Sequence, residues 1–192
     1  MDKLIEKVLM EPALAWKWTV NVLGKDQDSP EARQAASEVR QAPLVQALMA
    51  TCDRTRSAYK KWDGAHWVLS ILADLGYPPG DQALRPLMEA TYNTWLSREH
   101  ETRYLRVING RARRCASQEG YAVWSSLRLG LADHRTQELV NRLLQWQWPD
   151  GGWNCDKRPE ADSSSFMETL IPLRALALYA EVSGDARAKA AA

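Results

Sequence analysis

Apolar positions recur along this chain with the spacing of helices, and the punctuation between them is clear. Ser29-Pro30-Glu31 supplies an N-cap, a first-turn proline and an early acid, so a helix is expected from about Pro30 to Gln41. In "GAHWVLSILADLG", Gly64 to Gly76, Trp67, Ile71 and Leu75 share one face with Val68 and Leu72 beside them. That stripe is too broad for a surface helix and predicts a mostly buried one. "YPPGD" breaks it, Asp81 caps the next start, and Leu84, Leu87, Met88, Tyr92 and Trp95 make a narrower stripe on a second helix expected to lie outside the first.

The arrangement returns twice. "SQEGYAVWSSLRLGL" carries Trp124, Leu127 and Leu131 at helical spacing, "ADHR" turns, and "TQELVNRLLQWQW" presents Leu139, Leu143 and Trp146. Then Leu170, Ile171, Leu173, Leu176 and Leu178 make a nearly all-round apolar helix before "VSGD" turns the chain into a short last helix. The inner segments begin near Gly64, Gln118 and Phe166, about 50 residues apart, a period that signals a repeat of helical hairpins. The expected fold class is therefore all-α, one helical-repeat domain over 1–192 with N-terminal helices to residue 60 and hairpins from 61. Apart from "YLRVI", Tyr104 to Ile108, no stretch alternates with period two, so strands are not expected.

With 192 residues and a formal charge of +1, the chain has no electrostatic reason to bind nucleic acid. "MDKLIEKVLMEP" mixes charges with apolar residues and lacks the apolar core of a signal peptide. No apolar run approaches the roughly 20 residues needed to span a bilayer, which predicts a soluble cytoplasmic protein. Cys52, Cys115 and Cys155 are scattered and in no C-x-x-C arrangement, suggesting neither a disulfide framework nor a thiolate zinc cage. No cofactor or metal is expected. Nine Trp and six Tyr against one Phe suit either helix packing or an apolar cavity.

One stretch carries more than periodicity. "QWPDGGWN" places Gln147, Asp150-Gly151-Gly152 and Trp153 between an outer helix and a variable loop. The glycines permit a sharp turn, Trp153 can pack over the helix end, and the Gln147 amide can tie exposed backbone groups. It resembles the Q-x-x-D-G-G-W repeat of squalene (terpenoid) cyclases and protein prenyltransferase β-subunits, over roughly Trp62 to Glu181. The resemblance implies an α/α toroid of inner and outer helices. A full ring takes about six hairpins, roughly 300 residues at this period, so the chain would supply half a ring. It would then be a fragment, or its open edge would pair with a second copy to form a homo-oligomer.

The family's catalytic motifs do not carry over. The cyclase D-x-D-D-T motif falls on Ser165, Phe166, Met167, Glu168 and Thr169, where only Glu168 keeps a carboxylate and Met167 stands in the proton donor's place. The prenyltransferase zinc positions fall on Gln118, Gly120 and Glu168, and two of three ligands are missing.

Each candidate has a chemical and a packing reading. Glu168 is either a general acid raised by an apolar cavity or the far half of a capping box, Ser165-x-x-Glu168. Asp156, with Glu160, Asp162 and Cys155, is either an acid or metal-diphosphate ligand at the mouth of the ring, or part of a solvated loop. His66, following Asp63 and between Trp62 and Trp67, is an oriented imidazole or a packing residue. Arg103, Arg106, Arg111, Arg113 and Arg114 can clamp a phosphate or simply face solvent. Trp62, Trp67, Tyr121, Trp124 and Trp153 can line a cation-stabilising cavity or form core.

Two functions follow. One is a terpenoid cyclase-like domain, an isomerase or lyase if an enzyme, holding an apolar isoprenoid-type ligand with Glu168 or Asp156 as acid. The other is a non-catalytic helical scaffold for a lipid, peptide or protein. The missing acid motif favours the second, and the aromatic richness keeps the first. A metal-dependent prenyl-transfer enzyme is a third, weaker possibility.

Overall fold

The computed structural model describes residues 10–52 and 57–192. The reading of "MDKLIEKVL" lies outside them. After a 3₁₀ turn at Pro12–Leu14 and a π-helical stretch at Lys17–Val22, helix α1 runs Pro30–Gln41, as its cap predicts. Ser29 Oγ accepts the Ala32 amide at 3.1 Å, and Ala32, Ala35, Ala36 and Val39 are buried. Helix α2 follows at Pro43–Thr51.

Three hairpins then succeed one another. Helix α3, Ala65–Leu75, pairs with α4, Arg85–Trp95. Helix α6, Ser117–Arg128, pairs with α7, His134–Trp146. Helix α8, Phe166–Ser183, pairs with α9, Ala186–Ala191. A short α5, Arg98–Tyr104, and a two-stranded antiparallel hairpin, β1 Arg106–Ile108 and β2 Arg111–Arg113, fill the connector between the first two. The fold is all-α with this one small ribbon, and one apolar cluster runs from Ala13 to Ala188. No described helix is long and apolar enough to cross a membrane.

The first members α3, α6 and α8 lie side by side with α6 in the middle, and their partners pack behind them. The expected stripe, Leu84 just before α4 and Leu87, Met88, Tyr92 and Trp95 on it, is buried, and so are Leu139, Leu143 and Trp146 on α7. A buried hydroxyl chain joins the hairpins: Tyr92 Oη meets Thr136 Oγ1 at 2.7 Å, and Thr136 meets Ser126 at 3.1 Å. Helices α6 and α8 approach so closely that a β-carbon on Gly120 would stand 2.9 Å from the Pro172 nitrogen. Pro172 sits inside α8 without an amide to donate, and its ring is buried at this contact.

Three expectations need correction. Helix α8 is not buried all round: Pro172, Ala175, Leu176 and Tyr179 are covered, while Phe166, Met167 and Leu170 are 78%, 77% and 51% exposed. It rests against α6 and α9, and its Arg174 reaches Asp74 on α3. Helix α3 is mostly buried, as expected, with Val68 and Leu72 fully covered and Leu131 likewise just after α6, but the other members of the two stripes are only partly covered. Trp67, Ile71, Leu75, Trp124 and Leu127 are half-buried, whereas the face of α6 that meets its neighbours is made of Gly120, Ala122, Val123, Ser125 and Ser126. Small residues let helices approach, and of the large ones Trp67 is left lining a groove. Finally, the connector does form strands. β1 lies within "YLRVI", and Asn109-Gly110, with φ of 50° and 72°, is the two-residue turn that brings β2 back.

Candidate functional site

The N-terminal turns of α3, α6 and α8 surround a groove of about 270 Å³. Its walls are Tyr59, His66 and Trp67 on one side, Ser117, Gln118 and Tyr121 in the middle, and Phe166, Met167, Leu170 and Ile171 on the other. No carboxylate is among them. The aromatic wall is continuous: Tyr59 lies 5.5 Å from both His66 and Trp67, and His66 stands edge-on to Trp95 at 5.1 Å and to Tyr121 at 6.1 Å. The Trp67 indole N–H is buried without an acceptor among the described residues.

His66 is almost fully buried, and its Nδ1 accepts the Trp95 indole N–H at 3.2 Å. Burial depresses its pKa to about 3, so the ring is neutral at physiological pH. It is a wall of the groove and a hydrogen-bond acceptor for the core, with no proton to exchange near neutrality.

A second cavity of about 290 Å³ shares Tyr59 and Gln118 with the groove but has a different character. Arg113, Arg114, Lys157, His100, Cys115 and Cys155 are among its walls. Arg113 is buried with its guanidinium 4.4 Å from the Trp148 ring centre, and Nη2 donates to Ala161 O at 2.9 Å. Its Nε and Nη1 are buried without acceptors among the described residues. Arg114 is buried in an ion pair with Glu119. Burial and then Arg114, Arg142 and Arg103 lower the His100 pKa to about 4.

At the edge of this cavity Cys115, Cys155 and Glu168 bring their donor atoms within 4.8 Å of one another. The capping-box reading of Glu168 does not hold, because Ser165 makes no side-chain cap. The carboxylate reaches across to α6 instead: Oε2 accepts the Ser117 amide at 3.0 Å, and Oε1 accepts the Cys155 thiol at 3.5 Å. Burial, the Glu168 charge and Cys155 push the Cys115 thiol up to about 12, and burial raises Cys155 as well. The sequence separates these cysteines by 40 positions and gave no spacing signal for their meeting.

The other candidates disperse. Asp156 turns to Arg158, whose Nε and Nη2 lie 2.9 and 2.5 Å from Oδ2. These bonds lower its pKa to about 2, so at neutral pH it is an ion-paired acceptor with no proton to give. Glu160 and Asp162 lie exposed in the same loop. Trp62 is 63% exposed, tilted against Trp67 with ring centres 4.9 Å apart. Trp124 donates to Asp74 at 3.0 Å and lies under Arg174, away from the groove. Trp153 is buried and donates to Leu143 O at 2.9 Å, closing the end of α7. Of the five predicted ligand-binding residues, His66 and Tyr121 line the groove. Arg103, Arg106 and Arg111 stay on the ribbon side, while Arg113 and Arg114 turn inward. Tyr59, Gln118, Phe166 and Leu170 also line the groove, and nothing in their local sequence pattern marks that they point into it.

No protein-family model matches the chain, and neither a curated protein nor a solved structure matches it.

Proposed function

We propose that this chain binds an isoprenoid-type lipid in the aromatic groove and does not initiate its cyclisation by protonation. The observation that carries this reading is the composition of the groove, an apolar and aromatic lining with a few polar groups and no acid. The volume is at the small end for ligand pockets, and the groove is open, so it suits one stretch of a long chain better than a compact molecule. Exposed Phe166, Met167 and Leu170 extend the apolar surface beyond it. The adjoining cavity, which shares Tyr59 and Gln118 with the groove, has Arg113, Arg114 and Lys157 among its walls and so offers cationic groups for an anionic head group attached to such a chain.

The Q-x-x-D-G-G-W resemblance supports a place near terpenoid-binding helical toroids. The groove supplies no acid for a cyclase. Asp156 is ionised, His66 is neutral, and Glu168 is engaged by Ser117 and Cys155 outside the groove lining. Titrating the protein with farnesol and farnesyl diphosphate, followed by tryptophan fluorescence from Trp67, tests the reading. Leu170→Asp, at a half-exposed position that tolerates polarity, should weaken binding about tenfold to a hundredfold by removing an apolar contact and placing a charge beside the chain. Glu168→Gln should leave farnesol binding unchanged. Absence of saturable binding, or binding indifferent to Leu170→Asp, refutes it.

A further inference from the structure

Cys115, Cys155 and Glu168 come from three separate segments, and backbone contacts hold those segments together. Cys115 lies between β2 and α6, Cys155 two residues past the Trp153 corner, and Glu168 in the first turn of α8. Arg113 and Asn154 form a parallel bridge, and the Arg114 amide donates to Asn154 O at 3.1 Å. The Ser165 amide donates to Trp153 O at 2.8 Å, and the Trp153 amide to Thr169 Oγ1 at 3.1 Å, so the start of α8 is tied to the same loop. The convergence of the three donors is thus fixed by the main chain.

We propose that Cys115 Sγ, Cys155 Sγ and Glu168 Oε1 are the ligands of a zinc ion, with a fourth position open to the cavity beside Arg114 and His100. This rests on the triad alone and is independent of the lipid reading. Two sulfurs and one carboxylate oxygen are a donor set that suits zinc and disfavours calcium and magnesium, which take oxygen ligands. Zn–S bonds of about 2.3 Å and Zn–O bonds of about 2.0–2.2 Å around a tetrahedral ion separate donors by roughly 3.5–3.8 Å. The triad, within 4.8 Å, reaches that with a side-chain contraction of about 1 Å. The Ser117 amide on Oε2 holds the carboxylate so that Oε1 faces the thiols, the outer contact that metal-binding carboxylates require. As each S–Zn bond forms, the thiol gives up its proton to solvent, and the two thiolates and the carboxylate are then balanced in part by the cation. Three protein ligands with a vacant fourth position are the arrangement of a reactive zinc, which takes water or an anionic ligand there, and Cys115 and Cys155 are both walls of the cavity that would admit it.

The test uses the full chain, reduced, stripped with a chelator and titrated with zinc in competition with a chromogenic chelator. A parallel cobalt(II) titration reads thiolate-to-metal charge transfer. One equivalent should bind, releasing about two protons near neutral pH, with charge-transfer bands in the cobalt form. Cys115→Ser and Cys155→Ser should each weaken zinc roughly 100-fold or more, at or beyond the upper end of losses seen when only an outer contact is removed. Glu168→Gln should weaken it while the thiolate bands persist, and Cys52→Ser should change nothing. No uptake, uptake indifferent to Cys115→Ser and Cys155→Ser, or a cobalt form without thiolate bands overturns the assignment. Should a cysteine variant fail to fold, as circular dichroism would reveal, the cobalt spectrum of the unaltered chain decides.

Discussion

Lowering the pH from 7 to 5 should destabilise this protein through His66, and the size of the effect follows from its burial. The ring ionises at about 3 in the native state against 6.5 when exposed. A base whose native pKa is depressed takes up its proton more readily in the unfolded chain, so stability is complete above the unfolded pKa and falls as pH drops below it. At 1.36 kcal/mol per pH unit, the 1.5 units between 6.5 and 5 correspond to about 2 kcal/mol, since the native ring stays neutral throughout. His100, lowered to about 4, adds a loss of the same sign over this window, but a His66 variant shares it, so the difference between the two proteins reads His66. His66→Asn isolates the term: the Asn Oδ1 occupies the place of Nδ1 and can accept from the Trp95 indole, yet it does not titrate. Urea unfolding of both proteins at pH 7 and pH 5 should show that the original chain loses about 2 kcal/mol more than the variant, near 1 M in midpoint for an m-value of about 2 kcal/mol/M. Equal pH losses in the two proteins would refute the neutral, desolvated His66.

Three further outcomes test the packing behind the site. Gly120→Ala puts a β-carbon 2.9 Å from the Pro172 backbone, and this overpacking should cost about 1–3 kcal/mol, lowering the calorimetric melting point by roughly 2–4 °C per kcal/mol. Glu119→Gln strands the buried Arg114 charge and should cost about 3–5 kcal/mol in urea unfolding, whereas Glu119→Leu with Arg114→Met should cost less than Glu119→Gln alone. Trp153→Phe removes the indole N–H from Leu143 O, leaving a buried carbonyl unpaired at about 1–3 kcal/mol, and faster amide exchange at the end of α7 would register it.

Much of the fold was legible because it is written in local chemistry. Ser29-Pro30-Glu31 names the first residue of α1, and the three inner helices begin within about a residue of the expected Gly64, Gln118 and Phe166. The Gln147 amide does tie backbone, donating to Gly151 O at 2.8 Å and Ala191 O at 2.9 Å. What local chemistry does not carry is which face of an apolar helix is covered. Val68, Leu72 and Leu131 are core as their stripes predict, but Trp67, Trp124 and one face of α8 are not, because burial depends on which neighbours exist, and Gly120 with Ser125 and Ser126 wins the contact because a small surface lets backbones approach. The Asn109-Gly110 turn was readable and decides β2; attention to period-two alternation alone passes over a three-residue strand.

The site was harder to read for a related reason, and the Asp150-Gly151-Gly152-Trp153 corner shows why a structural motif and a chemical one need not compete. Asp150 accepts the Ser164 amide at 2.6 Å, and a β-carbon on Gly152 would collide with Ser164 and Thr169. Those contacts seat the first turn of α8 against the loop, and that seating aims Glu168 at Ser117 and Cys155 instead of at its own helix start. A capping box is the local optimum for Ser165-x-x-Glu168, worth about 1 kcal/mol at most exposed helix starts. Here Glu168 takes an amide at the start of another helix, α6, where the N-terminal dipole also favours its charge. Motif spacing ranks interactions within a segment, whereas the donors around Cys115 are assembled from three, and only the corner that docks one segment on the next brings them to a common point.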